Sequence, residues 1–130
     1  MPGHTGERRI LIVEDEKVIA DTLGQILKVN GYDVRVAYLA EAALEVISGW
    51  PPDLAVLDVM LPGMNGIEFA FKLMQRHPEC QILLFSGAPA VENIVQKARS
   101  EGHDFEILAK PVHPHVMLNA ISNRLSLRDP

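Results

Sequence analysis

Five times along this chain a short, nearly continuous apolar run gives way to apolar residues at helical spacing, and that alternation leaves few folds open. Ile10–Val13, Asp33–Ala37, Leu54–Leu57, Ile82–Phe85 and Phe105–Ala109 read as strands. Behind them come Val18, Ile19, Leu23, Ile26 and Leu27; Ala43, Leu44 and Ile47; Ile67, Ala70, Leu73 and Met74; Val91, Ile94, Val95 and Ala98; and Met117, Leu118, Ile121 and Leu125. Each of these sets lines one side of a helix. Asn30-Gly31, Pro51-Pro52, His77-Pro78 and Gly102 supply the stops between them. A strand that is apolar at consecutive positions is buried on both faces, which calls for a parallel sheet sandwiched by helices. The expectation is therefore an α/β fold: a doubly wound, five-stranded parallel sheet with five helices, in the strand order 2-1-3-4-5.

The chain has 130 residues, enough for one domain with its own core. Residues 1–8 read as a loose tail, 9–127 as the domain and 128–130 as a frayed end. A net charge of −5 argues against non-specific nucleic-acid binding, which needs a basic footprint. No run approaches the ~20 apolar residues needed to cross a bilayer, and the N-terminus lacks an apolar signal core. Cys80 stands alone, so no disulfide forms within the chain, and a reducing, cytoplasmic setting is expected. It reads as a small hydrophobe at the head of the fourth strand.

The chemistry gathers at the strand ends. Glu14-Asp15 follows the first run, Asp58 the third, Ser86 ends the fourth and Lys110 follows the fifth. In a doubly wound sheet these ends share one edge, and ligands bind there at the switch point between the first and third strands. Clustered carboxylates repel one another, and a hard divalent cation with oxygen ligands relieves that repulsion. Asp58 beside such a cation suits nucleophilic attack on phosphorus, and an ammonium at Lys110 suits the phosphoryl oxygens. Plainer readings exist: the acids as caps of the next helix, Asp58 as a turn former, Lys110 as a structural ion pair. The convergence of all four positions favours the cation-and-phosphoryl pocket. A serine nucleophile at Ser86 lacks the histidine and acid of a triad.

Together, Ile10-Leu11-Ile12-Val13-Glu14-Asp15-Glu16, Leu57-Asp58-Val59-Met60-Leu61-Pro62-Gly63-Met64-Asn65-Gly66, Phe85-Ser86-Gly87-Ala88 and Lys110-Pro111 resemble the receiver domain of two-component response regulators. The resemblance runs from about residue 8 to about residue 127. It implies that Asp58 accepts a phosphoryl group from a histidine kinase or a histidine phosphotransfer protein. It implies that Glu14, Asp15, Asp58 and the backbone carbonyl of Met60 hold Mg²⁺, that Lys110 pairs with the phosphoryl oxygens, and that the Lys110–Pro111 bond is cis. Ser86 would swing toward the phosphoryl group and pull on the loop behind it, signalling to a downstream protein partner. Such a domain is a switch rather than an enzyme; self-association into a dimer is left open.

Two stretches depart from the family pattern. Ile107 stands three residues before Lys110, where a Tyr or Phe is usual, and Phe105 lies two residues earlier. Val112-His113-Pro114-His115 reads as a solvated helix start, with Pro114 in the first turn. His4, His77 and His103 read as exposed loop residues, and Trp50 as a loop anchor or part of a contact patch. With no effector sequence after residue 127, the expectation is either a stand-alone receiver or one excised from a longer protein. Within that class it could act as a phosphorelay intermediate or phosphate sink. Rivals are a phosphorylation-independent interaction module, an FMN binder of the same topology, and a small aspartyl-phosphate phosphohydrolase. The FMN binder would need a Ser/Thr/Gly cradle after the first strand; the hydrolase would need an acid where Met60 stands.

Overall fold

A computed structural model of the chain describes residues 7–87, 96, 99, 100, 102 and 105–128. The apolar runs become β1 (Arg9–Val13), β2 (Asp33–Ala37), β3 (Leu54–Asp58), β4 (Gln81–Ser86) and β5 (Glu106–Ala109). They pair in parallel in the order β2-β1-β3-β4-β5, as the alternation predicts. The helices among the described residues are α1 (Lys17–Val29), α2 (Ala40–Gly49), α3 (Gly66–Arg76) and α4 (Pro114–Arg128). The further helix expected from Val91 to Ala98 falls outside the described residues, as do His4 and His103. Among the described residues no helix is long and apolar enough to cross a membrane.

Period-two alternation sorts the strand residues into two cores. Ile10, Ile12, Leu54, Val56, Leu83 and Phe85 pack with Leu23 and Leu27 of α1 and Met117 and Ile121 of α4. Leu11, Val13, Ala55, Leu57 and Leu84 pack on the other face with Ile47 of α2 and Phe69 and Leu73 of α3. Every residue of β3 is buried, which explains the continuous apolar runs. Each large side chain so buried contributes about 1.5–3 kcal/mol.

Local signals set the boundaries. The Asn65 side chain accepts from the backbone N–H of Ile67 and of Glu68, each at 2.9 Å, while Glu68 accepts from the Asn65 N–H at 3.2 Å. This reciprocal cap fixes the start of α3. Helix α4 begins at Pro114, and the His113 ring accepts from the His115 N–H at 3.2 Å. Trp50 is a loop anchor: buried, with the guanidinium of Arg35 4.9 Å and that of Arg9 5.6 Å from its ring centre. Cys80 is buried at the head of β4.

Two expectations need correction. His77 is not an exposed loop residue; it caps α3, and its ring lies 3.0 Å from the Ile47 carbonyl oxygen at the end of α2, tying the two helices together. The fifth strand opens at Glu106, not Phe105. Phe105 turns instead toward Phe71 of α3, with ring centres 6.0 Å apart, and packing outweighs its strand propensity.

Asn65→Ala removes one half of the α3 cap. It is expected to lower the unfolding free energy by about 1 kcal/mol with an unchanged denaturant slope. Asn65→Asp, which still accepts both bonds, should retain most of it; urea titration measures the difference.

Candidate functional site

Register brings the strand-end groups together. Val13 pairs with Leu57 and Asp58 with Phe85, so Glu14 and Asp58 stand side by side just past the ladder. Ser86 pairs with Ala109, which sets Lys110 one step beyond β4. Backbone bonds extend the ladder at each end: Glu14 N–H to the Ala37 carbonyl (3.1 Å), Val59 N–H to the Phe85 carbonyl (3.1 Å), Lys110 N–H to the Ser86 carbonyl (2.9 Å). By alternation Glu14, Asp58 and Lys110 belong to the α1/α4 face of the sheet, as do Ile12, Val56 and Leu108.

The side chains converge accordingly. The Lys110 Nζ donates to Glu14 Oε1 at 2.7 Å and to Asp58 Oδ2 at 3.0 Å. Glu14 is fully buried and Asp58 only 3% exposed. The second oxygen of each acid is also held: Asp58 Oδ1 accepts from the Met60 N–H (3.1 Å) and Glu14 Oε2 from the Glu16 N–H (3.2 Å). Glu16, the residue preceding α1, makes no side-chain cap. Asp15 lies on the solvent side, and one ligand oxygen from each of Glu14, Asp15 and Asp58 falls within 4.8 Å of the others.

Electrostatics mark the crowding. Loss of surrounding water, then the hydrogen bond and charge of Glu14, hold the Asp15 carboxyl above its ordinary range. For Lys110, burial pulls downward, but the hydrogen bonds to Glu14 and Asp58 and their charges outweigh it, and its ammonium is raised above the usual lysine value. Three carboxylates facing one ammonium leave an excess of negative charge. An all-oxygen donor set of this kind fits a hard divalent cation.

The loop after Asp58 is pinned from behind. Gly66 donates to the Val59 carbonyl at 3.0 Å, and a Cβ there would lie 2.9 Å from the Asp58 carbonyl carbon and 3.1 Å from the Val59 Cα. Only glycine lets α3 start this close to the Asp58 backbone. Gly63, at φ +75°, makes the turn between them. The Lys110–Pro111 peptide is cis, as the resemblance implies. Ser86 is buried at the same edge, on the strand face opposite Phe85. The Met60 side chain is half exposed. Ile107 and Phe105 both pack, partly buried, against the α2/α3 core. Phe85, which reads from sequence as core alone, has its ring centre 5.0 Å from the Lys110 Nζ; that proximity follows from register and strand alternation together.

The chain belongs to the response regulator receiver domain family, whose model matches residues 10–122. Among solved structures it is similar to a CheY-like response regulator receiver domain protein from Methanospirillum hungatei JF-1. The TM-score is 0.86 and the identity 33%, over 95% of this chain and 98% of that one. It is 35% identical over 119 residues to a cyclic di-GMP phosphodiesterase of Thermotoga maritima, covering 92% of this chain and 31% of the relative. It is 32% identical over 124 residues to the response regulator MprA of Mycobacterium ulcerans, covering 93% of this chain and 53% of the relative. The chain thus spans between about a third and a half of these two curated relatives.

Removing the ammonium leaves a buried carboxylate without its partner. Lys110→Met is expected to lose about 3–5 kcal/mol of stability near neutral pH. Because the folded-state pKa of Lys110 is raised, its contribution is fully present below the unfolded value of 10.5 and is lost as pH rises through the folded value. The gap between wild type and variant should therefore narrow in strong alkali. Denaturation at pH 7 and at the alkaline limit of reversible folding checks the sign.

Proposed function

We propose that this chain is a phosphorylatable signalling switch, with Asp58 accepting the phosphoryl group of a histidine kinase or histidine phosphotransfer protein in the cytoplasm. The observation that carries the proposal is the setting of Asp58. It is a nearly buried carboxylate at a strand end, 3.0 Å from the Lys110 ammonium, with Glu14 and Asp15 beside it. A carboxylate oxygen of Asp58 would bond to phosphorus as the phosphorus–nitrogen bond to the donor imidazole breaks; the nitrogen keeps the electron pair. Lys110 would then move from a carboxylate partner to a phosphoryl oxygen, and the Met60 N–H, already on Asp58 Oδ1, holds the acceptor in orientation. Glu14, Asp15 and Asp58, with the Met60 carbonyl, would hold Mg²⁺, which when bound supplies charge to offset the phosphoryl oxygens.

Ser86, buried at the same edge, is the group that would respond to the new phosphoryl oxygens. With Ile107 in place of an aromatic, the response would pass through packing against the α2/α3 core rather than through a rotating ring. The output is contact with a downstream protein, not turnover. The same acceptor chemistry serves a phosphorelay intermediate or phosphate sink; which of these the chain is depends on its partners.

Incubation with acetyl phosphate and Mg²⁺, followed by intact mass measurement, tests the assignment. Wild type should gain one phosphate-sized increment, and Asp58→Asn none, with an unchanged circular dichroism spectrum. A phosphate retained by Asp58→Asn would move the acceptor elsewhere. Asp15→Ala should weaken Mg²⁺ binding by about tenfold or more; unchanged affinity would remove Asp15 from the metal set.

A further inference from the structure

We infer that Phe85 is a positioning residue for phosphoryl transfer, its ring holding the Lys110 ammonium in place over the acceptor carboxylate. The inference rests on the phosphoacceptor reading of Asp58. Its first ground is geometric. Strand alternation puts Phe85 on the same sheet face as Asp58 and Lys110, and the ammonium lies 5.0 Å from the ring centre. That is within the range at which a cation is attracted to the negative face of an aromatic quadrupole.

The second ground is the third partner this contact provides. Two carboxylates already pull on the ammonium, and both lie on the side of β1 and β3. With those contacts alone the lysine is free to follow either acid. The ring is the non-acidic neighbour, and it cannot follow the ammonium, because Phe85 is 1% exposed and locked into the α1/α4 core. The contact is thus made by a fixed group to a flexible one, which is what preorganisation requires.

The third ground is that Phe85 contacts both sides of the site, the backbone just after Asp58 and the Lys110 ammonium. Its carbonyl accepts from the Val59 N–H at 3.1 Å, anchoring the residue after the acceptor, while its ring sits at the ammonium. The next residue along, Ser86, accepts from the Lys110 N–H at 2.9 Å. The end of β4 is therefore the rigid bridge between nucleophile and counter-charge. A leucine at position 85 would preserve the backbone bonds and most of the packing while removing the quadrupole.

Phosphorylation rates by acetyl phosphate in saturating Mg²⁺ test this. Phe85→Leu is expected to slow labelling by about five- to tenfold, with a modest loss of thermal stability from the smaller core side chain that leaves the protein folded at the assay temperature. Phe85→Tyr keeps the π face and should stay within about twofold of wild type. In the Lys110→Met background the Phe85→Leu change should make no further difference. Wild-type rates in Phe85→Leu, or the same slowing in the presence and absence of the lysine, would overturn the inference. If wild type itself takes no label from acetyl phosphate, that result bears on the phosphoacceptor reading and not on Phe85. The contact is then read by NMR, where Lys110 side-chain protons shifted upfield by the ring support it and unshifted protons overturn it.

Discussion

A fully buried glutamate is the constraint around which this fold closes. Glu14 has no solvent exposure, and a carboxylate in that position without a counter-charge costs several kcal/mol. Its partner comes from 96 residues further along the chain. Lys110 follows β5, and β3 and β4 lie between that strand and β1. At about 4.8 Å per strand the backbones are far apart, and only two long side chains reaching inward over Asp58 can meet. The ion pair therefore exists only when the whole sheet has assembled in its native order. It links the first βα unit to the last, and Asp58 lies beneath the link.

The same arrangement explains why the reactive groups share one face of the sheet. Glu14, Asp58, Phe85 and Lys110 have the parity of the residues that pack under α1 and α4, and a one-residue slip in any strand would send its member to the α2/α3 side. Apolar burial on both faces specifies the register strongly, so the core that stabilises the fold also aligns its chemistry. Gly66 tightens the coupling further. Helix α3 begins in contact with the backbone of Asp58 and Val59, and its reciprocal cap at Asn65 and Glu68 keeps it there.

Much of this was legible in the chain. Continuous apolar runs announced buried parallel strands, and the acids and lysine after them announced a shared edge, because both signals are local. What stayed hidden depends on register or on distant partners. The ring of Phe85 reads as one more core residue until strand pairing places it beside Lys110. His77 reads as a loop histidine until α2 and α3 meet and its ring finds the Ile47 carbonyl. Trp50 could be assigned to an anchor only once Arg9 and Arg35, from two different strands, were seen against it. Phe105 looked like strand by propensity, but the ring of Phe71 decided its place.

The resting site is unbalanced in a directed way. On one side Lys110 is held in its charged form by two acids, since their attraction exceeds the penalty of its burial. On the other, Asp15 resists ionisation because water is partly withdrawn and Glu14 is close. On the proposed reading, a cation near Asp15 would relieve the acids and weaken their hold on the ammonium, because the same carboxylates serve both. Lys110 would then be freer to turn toward an incoming group with negative oxygens. The acids and the lysine would thus compete for one another until a cation and a phosphoryl group satisfied both at once.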